Sequence, residues 1–450
     1  MHGKNQFRIL STFQGAATTL LAIAFVFALT LIAIPGAQAQ TFSVIHNFSG
    51  GADQGNPDAG LTMDAAGNLY GTTCGGLCLV GATNLGTVFK LSQRGAGWTF
   101  NTLYYFRGGA DGAAPYSRVI LGPDGTLYGT TYLGGGNGCG GAGCGTVFNL
   151  QPPANSVTPS IFGGWTETVL YSFQGGSDGA SPVLGDLAFD SAGNIYGTTA
   201  AGGAYNAGTV FKLMRSGNSW SESVLYSFTG GSDGSEPLGG VILDGAGNLY
   251  GTTMLGGEGF CAYGSSCGAV FELSRSASGW TETVLQSFYG GRDGGYPIGG
   301  LAQGRYGIIG TTSLGGDNGG GTAFVLNNEL FLYSFSGNNN SVPWPGPWSS
   351  LVYGAVGAPG VAYGTTFADG AYNAGSVFYL YGCAGWTADS LHDFTGGQDG
   401  AYPVGSVVFD GAGNLYGTTA EGGSYGNGVV FEIAGAGNSP ARSSGCAAGQ

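Results

Sequence analysis

Charge is scarce in this chain: Asp, Glu, Lys and Arg together make up 8% of its 450 residues. Positive charge is scarcer still, with 12 Lys and Arg against 26 Asp and Glu and a net charge of −14. Without a basic footprint the chain cannot neutralise phosphates, so nucleic acid is excluded as a partner and anionic lipid is disfavoured. Only 3 His are present, which leaves a Ser-His-Asp or Cys-His relay almost no candidates. No P-loop, HExxH or EF-hand pattern occurs. Long apolar runs stop after Ile34. What abounds is glycine, 94 residues, about three times the usual share of roughly 7%. Each Gly in a helix costs roughly 1 kcal/mol against Ala, so long helices are excluded. Collagen fails because Gly is not at every third residue. Simple disorder fails because aromatics reach 13%. A Gly-punctuated all-β protein remains.

The first 39 residues read as a leader. Lys4 and Arg8 precede an uncharged apolar run over 16–34, Pro35-Gly36 breaks it, and Ala37-Gln38-Ala39 is an A-x-A cleavage site. The expectation is a signal peptide over 1–39, with an uncleaved membrane anchor as the alternative because the run approaches spanning length. Cleavage would leave 10 Lys and Arg against 26 Asp and Glu, a net charge of 10 − 26 = −16. The expected location is secreted, at the cell surface or in a periplasm.

Internal repetition dominates the rest. Gly-Thr-Thr occurs seven times, starting at Gly71, Gly129, Gly197, Gly251, Gly310, Gly364 and Gly417. Each copy sits among four strand-like runs, a to d. Run a is apolar and often ends in Asp, as in VILD at 241–244. Run b is LYGTT at 249–253, run c is TVFKL at 209–213, and run d is WTETVLYSF at 165–173. β-branched and aromatic residues bounded by Gly, Asn and Asp read as strands. A tight hairpin of the form Asp-x-x-Gly-Asn joins a to b. The mature chain would start on a d run (42–48) and end on a c run (429–433). Four antiparallel strands in each of seven units predict a seven-bladed β-propeller in which the N-terminal strand completes the last blade. A linear β-solenoid is the competing architecture.

The unit P-x-x-G-x-L-x-x-D-x-x-G-N-L-Y-G-T-T, followed by a Gly-rich loop and G-T-V-F-x-L, resembles the tandem repeat of the choice-of-anchor GloVer proteins over residues 42–434. The a–b portion is also similar to NHL and lactonase-type propeller blades. The resemblance implies export and a repeat domain, and no established activity. The 17 residues after Ile433 contain no apolar tail, so the family's C-terminal anchor is not visible. The expected organisation is a leader over 1–39, the propeller over 40–434 and a short flexible tail over 435–450.

Eight Cys in an exported chain suggest disulfides. Cys74 and Cys78, Cys139 and Cys144, and Cys261 and Cys267 fall as local pairs inside b–c loops. Cys383 and Cys446 follow the sixth and seventh c runs and would be brought together by neighbouring blades. No His lies near any pair, so zinc is a weak reading.

Candidate ligand-binding residues cluster in loops. Asp53, Asp111, Asp178, Asp233, Asp293 and Asp399 recur in d–a loops, while the sixth loop has Asn338, Asn339 and Asn340 instead. In an antiparallel blade the d–a and b–c loops share one face. Tyr205, Tyr263, Tyr372 and Tyr425 fall in b–c loops, and Tyr289, Tyr296, Tyr402, Trp344 and Trp348 in or beside d–a loops. Six Asp would ring that face. The bland alternative is that each caps its own turn; the sharper one is a Ca²⁺ or polar-ligand site. His46 and His392 occupy a d-run position that is Tyr in other copies and read as packing residues. The Thr-Thr pairs read as structural. The expected role is a monomeric binding or scaffold module for an extracellular glycan or protein, on the acidic, Tyr-rich face. The alternative is a lactonase- or glycan-lyase-like enzyme with Asp as base or metal ligand. An enzyme would need polar groups converging near the axis, and no such off-symmetry cluster is expected.

Overall fold

The computed structural model describes residues 40–438 except 76–83, 96, 154–163, 218, 262–263, 277–278, 305–306, 327–331, 338–343, 355–360 and 383–385. The expected leader and residues 439–450 therefore lie outside the described residues. Seven four-stranded antiparallel sheets form the blades of a propeller, each with its strands in the order a-b-c-d. Blade 3 is typical, with strands Ala188–Phe189, Ile195–Thr199, Thr209–Ser216 and Ser219–Ser227. Blade 7 is built from both ends of the chain. Val408–Phe409, Leu415–Thr419 and Val429–Ala434 supply strands a to c, and Thr41–Asn47 pairs with Val429–Ala434 as strand d. Main-chain pairing thus closes the ring, and the solenoid alternative falls. Past strand c of blade 7, Ala436–Asn438 makes one 3-10 turn, and Gly437 N donates to Gly413 O at 2.8 Å.

The repeated words have physical reasons. Gly of Gly-Thr-Thr pairs across strands with Phe of run c, as Gly197 does with Phe211. A Cβ on Gly197 would lie 2.6 Å from the Phe211 ring, and the other six copies show the same crowding. Phe211 is fully buried in a cluster that joins blade 3 to Tyr128 and Val147 of blade 2. Truncating such a ring costs about 3–5 kcal/mol.

The first Thr of the pair clasps the next blade. Thr72 Oγ1 donates to Ser117 O at 3.1 Å, Thr252 to Gly299 O at 3.1 Å, Thr311 to Ser349 O at 3.3 Å, Thr365 to Gly405 O at 3.3 Å, and Thr418 to Ala59 O at 2.7 Å. The second Thr ties strand b to strand c, as in Thr199 Oγ1 with Thr209 Oγ1 at 2.8 Å. Thr130 Oγ1 instead pairs with Ser117 Oγ of its own blade at 2.5 Å, and Thr198 Oγ1 is buried without a hydrogen-bond partner.

The a–b hairpins are held by their own Asp. Asp64 Oδ1 accepts from Ala66 N and Asn68 N at 2.9 Å, and Oδ2 accepts from Asn68 Nδ2 and Tyr70 Oη. Gly67 supplies the positive φ of 79° in that turn. Asp190, Asp244 and Asp410 repeat this arrangement.

Residues just before strand a of all seven blades meet around a narrow axial space, among them Gly60, Arg118, Asp186, Gly239, Gly300, Ser350 and Ser406. A Cβ on Gly405 would stand 2.3 Å from Gly60 N. Arg118 and Asp186 form an ion pair there.

Candidate functional site

The d–a and b–c loops share one face, where backbone bridges such as Ala113 with Leu133 and Ala180 with Ala201 join them. The six Asp all sit there, and each is engaged by its own turn. Asp111 accepts from Tyr104 Oη at 2.5 Å and Arg107 N at 2.6 Å. Asp178 accepts from Tyr171 Oη at 3.0 Å and Gln174 N at 2.8 Å. Asp233 accepts from Tyr226 Oη at 3.0 Å, Thr229 N at 2.8 Å and Thr229 Oγ1 at 2.5 Å. Asp399 lies 3.0 Å from His392 Nε2 and accepts from Thr395 N at 3.0 Å. Asp53 accepts from Ser49 N at 2.9 Å, with His46 Nε2 at 3.3 Å. Asp293 accepts from Tyr289 N at 2.8 Å, while Gln286 stands at the repeat Tyr position. Among the described residues no three His, Cys, Asp or Glu side chains are grouped to hold a metal ion, so the calcium reading finds no shared ligand set.

A bulge in strand d aims the Tyr or His at this Asp. In blade 1, Tyr104 pairs with Val88 and Thr102 with Phe89, leaving Leu103 as the extra residue, and five other blades show the same register shift. The Asp then faces strand d of the next blade. Glu167 stands there opposite Asp111, Glu222 opposite Asp178, and Glu282 opposite Asp233. Burial pushes Glu167 up to about 8, with the Asp111 charge adding to it. Burial and then the neighbouring Asp push Glu222 and Glu282 up to about 7. The Oε1 atoms of all three are buried without a hydrogen-bond partner. At the two His seams the facing residue is Phe instead. His46 stacks on Phe100 at 4.1 Å between centroids and His392 on Phe42 at 3.7 Å. Burial holds His46 below its ordinary value despite Asp53, so that ring is a neutral stacking partner.

The largely apolar cavity on this face lies at the mouth of the axis, at about 320 Å³. Trp348, Phe367, Tyr402 and Tyr116 wall it together with Val183, Leu184 and Val404, and Asn56, Asp58 and Glu421 add the polar groups. Trp348 stacks on Phe367 at 4.2 Å and Phe367 on Tyr402 at 5.1 Å; Trp344 and Tyr296 continue the arc. Burial, then the Glu421 charge, raises the Asp58 carboxyl to about 7. Burial and the Asp58 charge raise Tyr116 to about 12. A carboxyl half-protonated near neutrality both donates and accepts hydrogen bonds, beside a wall of stacked rings.

A family model described as the Gloeobacter/Verrucomicrobia repeat matches residues 24–162 and 143–347, well over half of the chain. The chain belongs to this family. No curated relative matches it. Among solved structures it is similar to a glucose dehydrogenase at 14% identity, over 87% of this chain and 99% of that one, with a TM-score of 0.39. So loose a superposition carries no argument about the site. Membership accounts for the repeated frame, and residues that break the repeat line the axial cavity.

Three convergent acids would overturn the expectation that no off-symmetry cluster lies near the axis, and the cavity brings two together. Asp58 and Glu421 share the axial cavity, while the third nearby acid, Asp186, is paired with Arg118. The signal lay in one column, the residue that opens each axial turn: Asp58, Tyr116, Leu184, Leu238, Ile298, Trp348 and Val404. Four are aliphatic, and the three that are not line the cavity. Of the loop aromatics, Tyr402 and Trp348 enter it, and Tyr296 is buried beside Trp344. Tyr205, Tyr372 and Tyr425 are exposed at 64%, 61% and 64% and stand apart from it, as does exposed Tyr289. Tyr263 and 338–340 lie outside the described residues. Cys139–Cys144 and Cys261–Cys267 are disulfides with Cα–Cα distances of 5.3 and 5.1 Å. Both pack against the following d–a turn, at Gly175 and Gly290. Cys74 is also disulfide-bonded; Cys78, Cys383 and Cys446 lie outside the described residues.

Proposed function

We propose that this propeller is an exported binding module whose axial pocket takes a saccharide unit of an extracellular glycan. The observation that carries the reading is the cavity of about 320 Å³ walled by the Trp348–Phe367–Tyr402 stack and edged by Asp58 and Glu421. Its size falls at the lower end of ligand pockets. Ring faces receive the C–H face of a sugar, and the carboxyls and the Asn56 amide take its hydroxyls. The rim tyrosines would serve a broader protein partner, whereas a concave cavity walled by stacked rings suits the smaller group. The leader pattern and the disulfides support export.

A glycan array read with the wild type, Trp348→Ala and a Tyr205→Ser/Tyr372→Ser/Tyr425→Ser triple variant tests it, each run with and without calcium. The expected result is a set of glycans lost by Trp348→Ala, kept by the triple variant and indifferent to calcium, with melting temperatures showing that both variants fold. Silence across the array, or loss through the rim variant alone, would overturn the reading. Turnover of a bound glycan would move the pocket from binding to catalysis.

A further inference from the structure

A larger cavity than the axial one is in the seam between blades 2 and 3 on the opposite face, where the a–b turn of blade 2 lies. It measures about 460 Å³ and is lined by Tyr128, Asn149, Gln151, Thr168, Arg215 and Trp220, among others. The repeat supplies its own controls. In blades 1, 3, 4 and 7 the Tyr of run b meets a long charged side chain from run c, while blade 5 has Ile309 there and blade 6 sets Tyr379 against Tyr363. Lys90 lies over Tyr70 at 5.2 Å and Lys212 over Tyr196 at 5.3 Å. Glu272 bonds Tyr250 Oη at 3.0 Å and Glu432 bonds Tyr416 Oη at 3.1 Å. Trp98 packs on Tyr416 at 5.6 Å and Trp165 on Tyr70 at 6.5 Å. At this seam the run-c residue is Asn149. Its short amide turns inward to Thr126 Oγ1 at 2.6 Å and Leu127 O at 3.1 Å, so the space a Lys would fill stays open.

The groups left around that space have a definite chemistry. Arg215 Nε donates to Gly217 O at 3.1 Å, and among the described residues its terminal guanidinium nitrogens donate no hydrogen bond. Half-buried Trp220 offers a ring, Gln151 Nε2 donates to Asn149 Oδ1 at 2.8 Å, and Gln151 Oε1 and Thr168 line the space as polar groups. Asp124 is the lining carboxylate, and its oxygens are taken by Thr126 N, Thr126 Oγ1 and Tyr128 Oη. A free guanidinium fork matches a carboxylate bidentately. The net charge of −14 repels an anion at long range, but at about 0.15 M salt the Debye length is about 8 Å and the local fork decides.

We propose that the seam between blades 2 and 3 binds an acidic saccharide, a uronate ring whose carboxylate pairs with Arg215 and whose C–H face lies on Trp220. The site is independent of the axial pocket.

Titration calorimetry with tri-galacturonate and with neutral galactotriose, at about 0.15 M salt, tests it on the full chain. The acidic trimer is expected to bind at least about tenfold more tightly than the neutral one. Arg215→Met, at an exposed position, erases that preference, and Asn149→Lys refills the cavity and abolishes both. Melting temperature verifies that each variant folds. No heat from the acidic trimer, equal affinity for the two trimers, or a preference that survives Arg215→Met would each overturn the proposal.

Discussion

Two kinds of outer seam hold neighbouring blades together, and they solve one problem in opposite ways. Between blades 1 and 2, 2 and 3, and 3 and 4, a Tyr bonds the loop Asp and a Glu of the next blade faces it. Between blades 6 and 7, and 7 and 1, a His takes the place of Tyr and a Phe takes the place of Glu. The two exchanges occur together at both seams. Burial and the facing Asp raise the Glu carboxyls, whereas a Phe offers a face on which the His ring stacks. The shared Asp is therefore a turn cap first, and its surroundings are chosen around it.

The comparison is broken most severely by removing the Asp. Asp233→Ala orphans Thr229 N, Thr229 Oγ1 and Tyr226 Oη, and is expected to lose about 3 kcal/mol in urea denaturation. Asp293→Ala, which removes the acceptor of Tyr289 N, is expected to lose about 1 kcal/mol. Equal losses would show that the cap hydrogen bonds are not what the Asp contributes.

A pH series separates the two seam types. Glu167, Glu222 and Glu282 release their protons near 7 to 8 when folded, against 4.5 as the ordinary value. Across that window the folded state holds more protons, so stability falls as pH rises, and Asp58 and Glu236 act in the same direction. His46 is opposite: its folded value lies below 6.5, so its seam gains stability as pH rises towards 6.5. The urea midpoint is expected to drop from pH 6.5 to about pH 8.5, and to drop less in a Glu167→Gln/Glu222→Gln/Glu282→Gln variant. A midpoint that climbs over this range, or identical slopes for the two proteins, would refute the protonated seams.

The finest test exchanges one seam for the other. Tyr171→His and Glu222→Phe are each expected to destabilise, and the double variant to recover about 1 kcal/mol relative to their sum. Strict additivity would mean that the pairing of His with Phe is coincidental.

Much of this was legible in the chain. Seven Gly-Thr-Thr copies and the offset ends gave the blade count and the closure, because a repeat that begins on d and ends on c can seal only on itself. The Asp ring was read correctly as one face, and its turn-capping role was the plainer of two readings. The axial pocket was missed because repeats were read along the chain, whereas Asp58, Tyr116 and Trp348 stand out only when equivalent positions of different blades are compared. The pairing of His with Phe escaped for a similar reason, since its partners lie in different copies.

The sequence by itself determined the strands, their turns and the number of blades, since these depend on near neighbours: Gly under Phe, Asp capping its own hairpin, Thr beside Thr. Only the closed ring decided which odd residues meet. Trp348, Phe367 and Tyr402 stack, and Asp58 feels the charge of Glu421 from 363 positions away, because closure places the first blade against the last and turns departures from the repeat into a cavity.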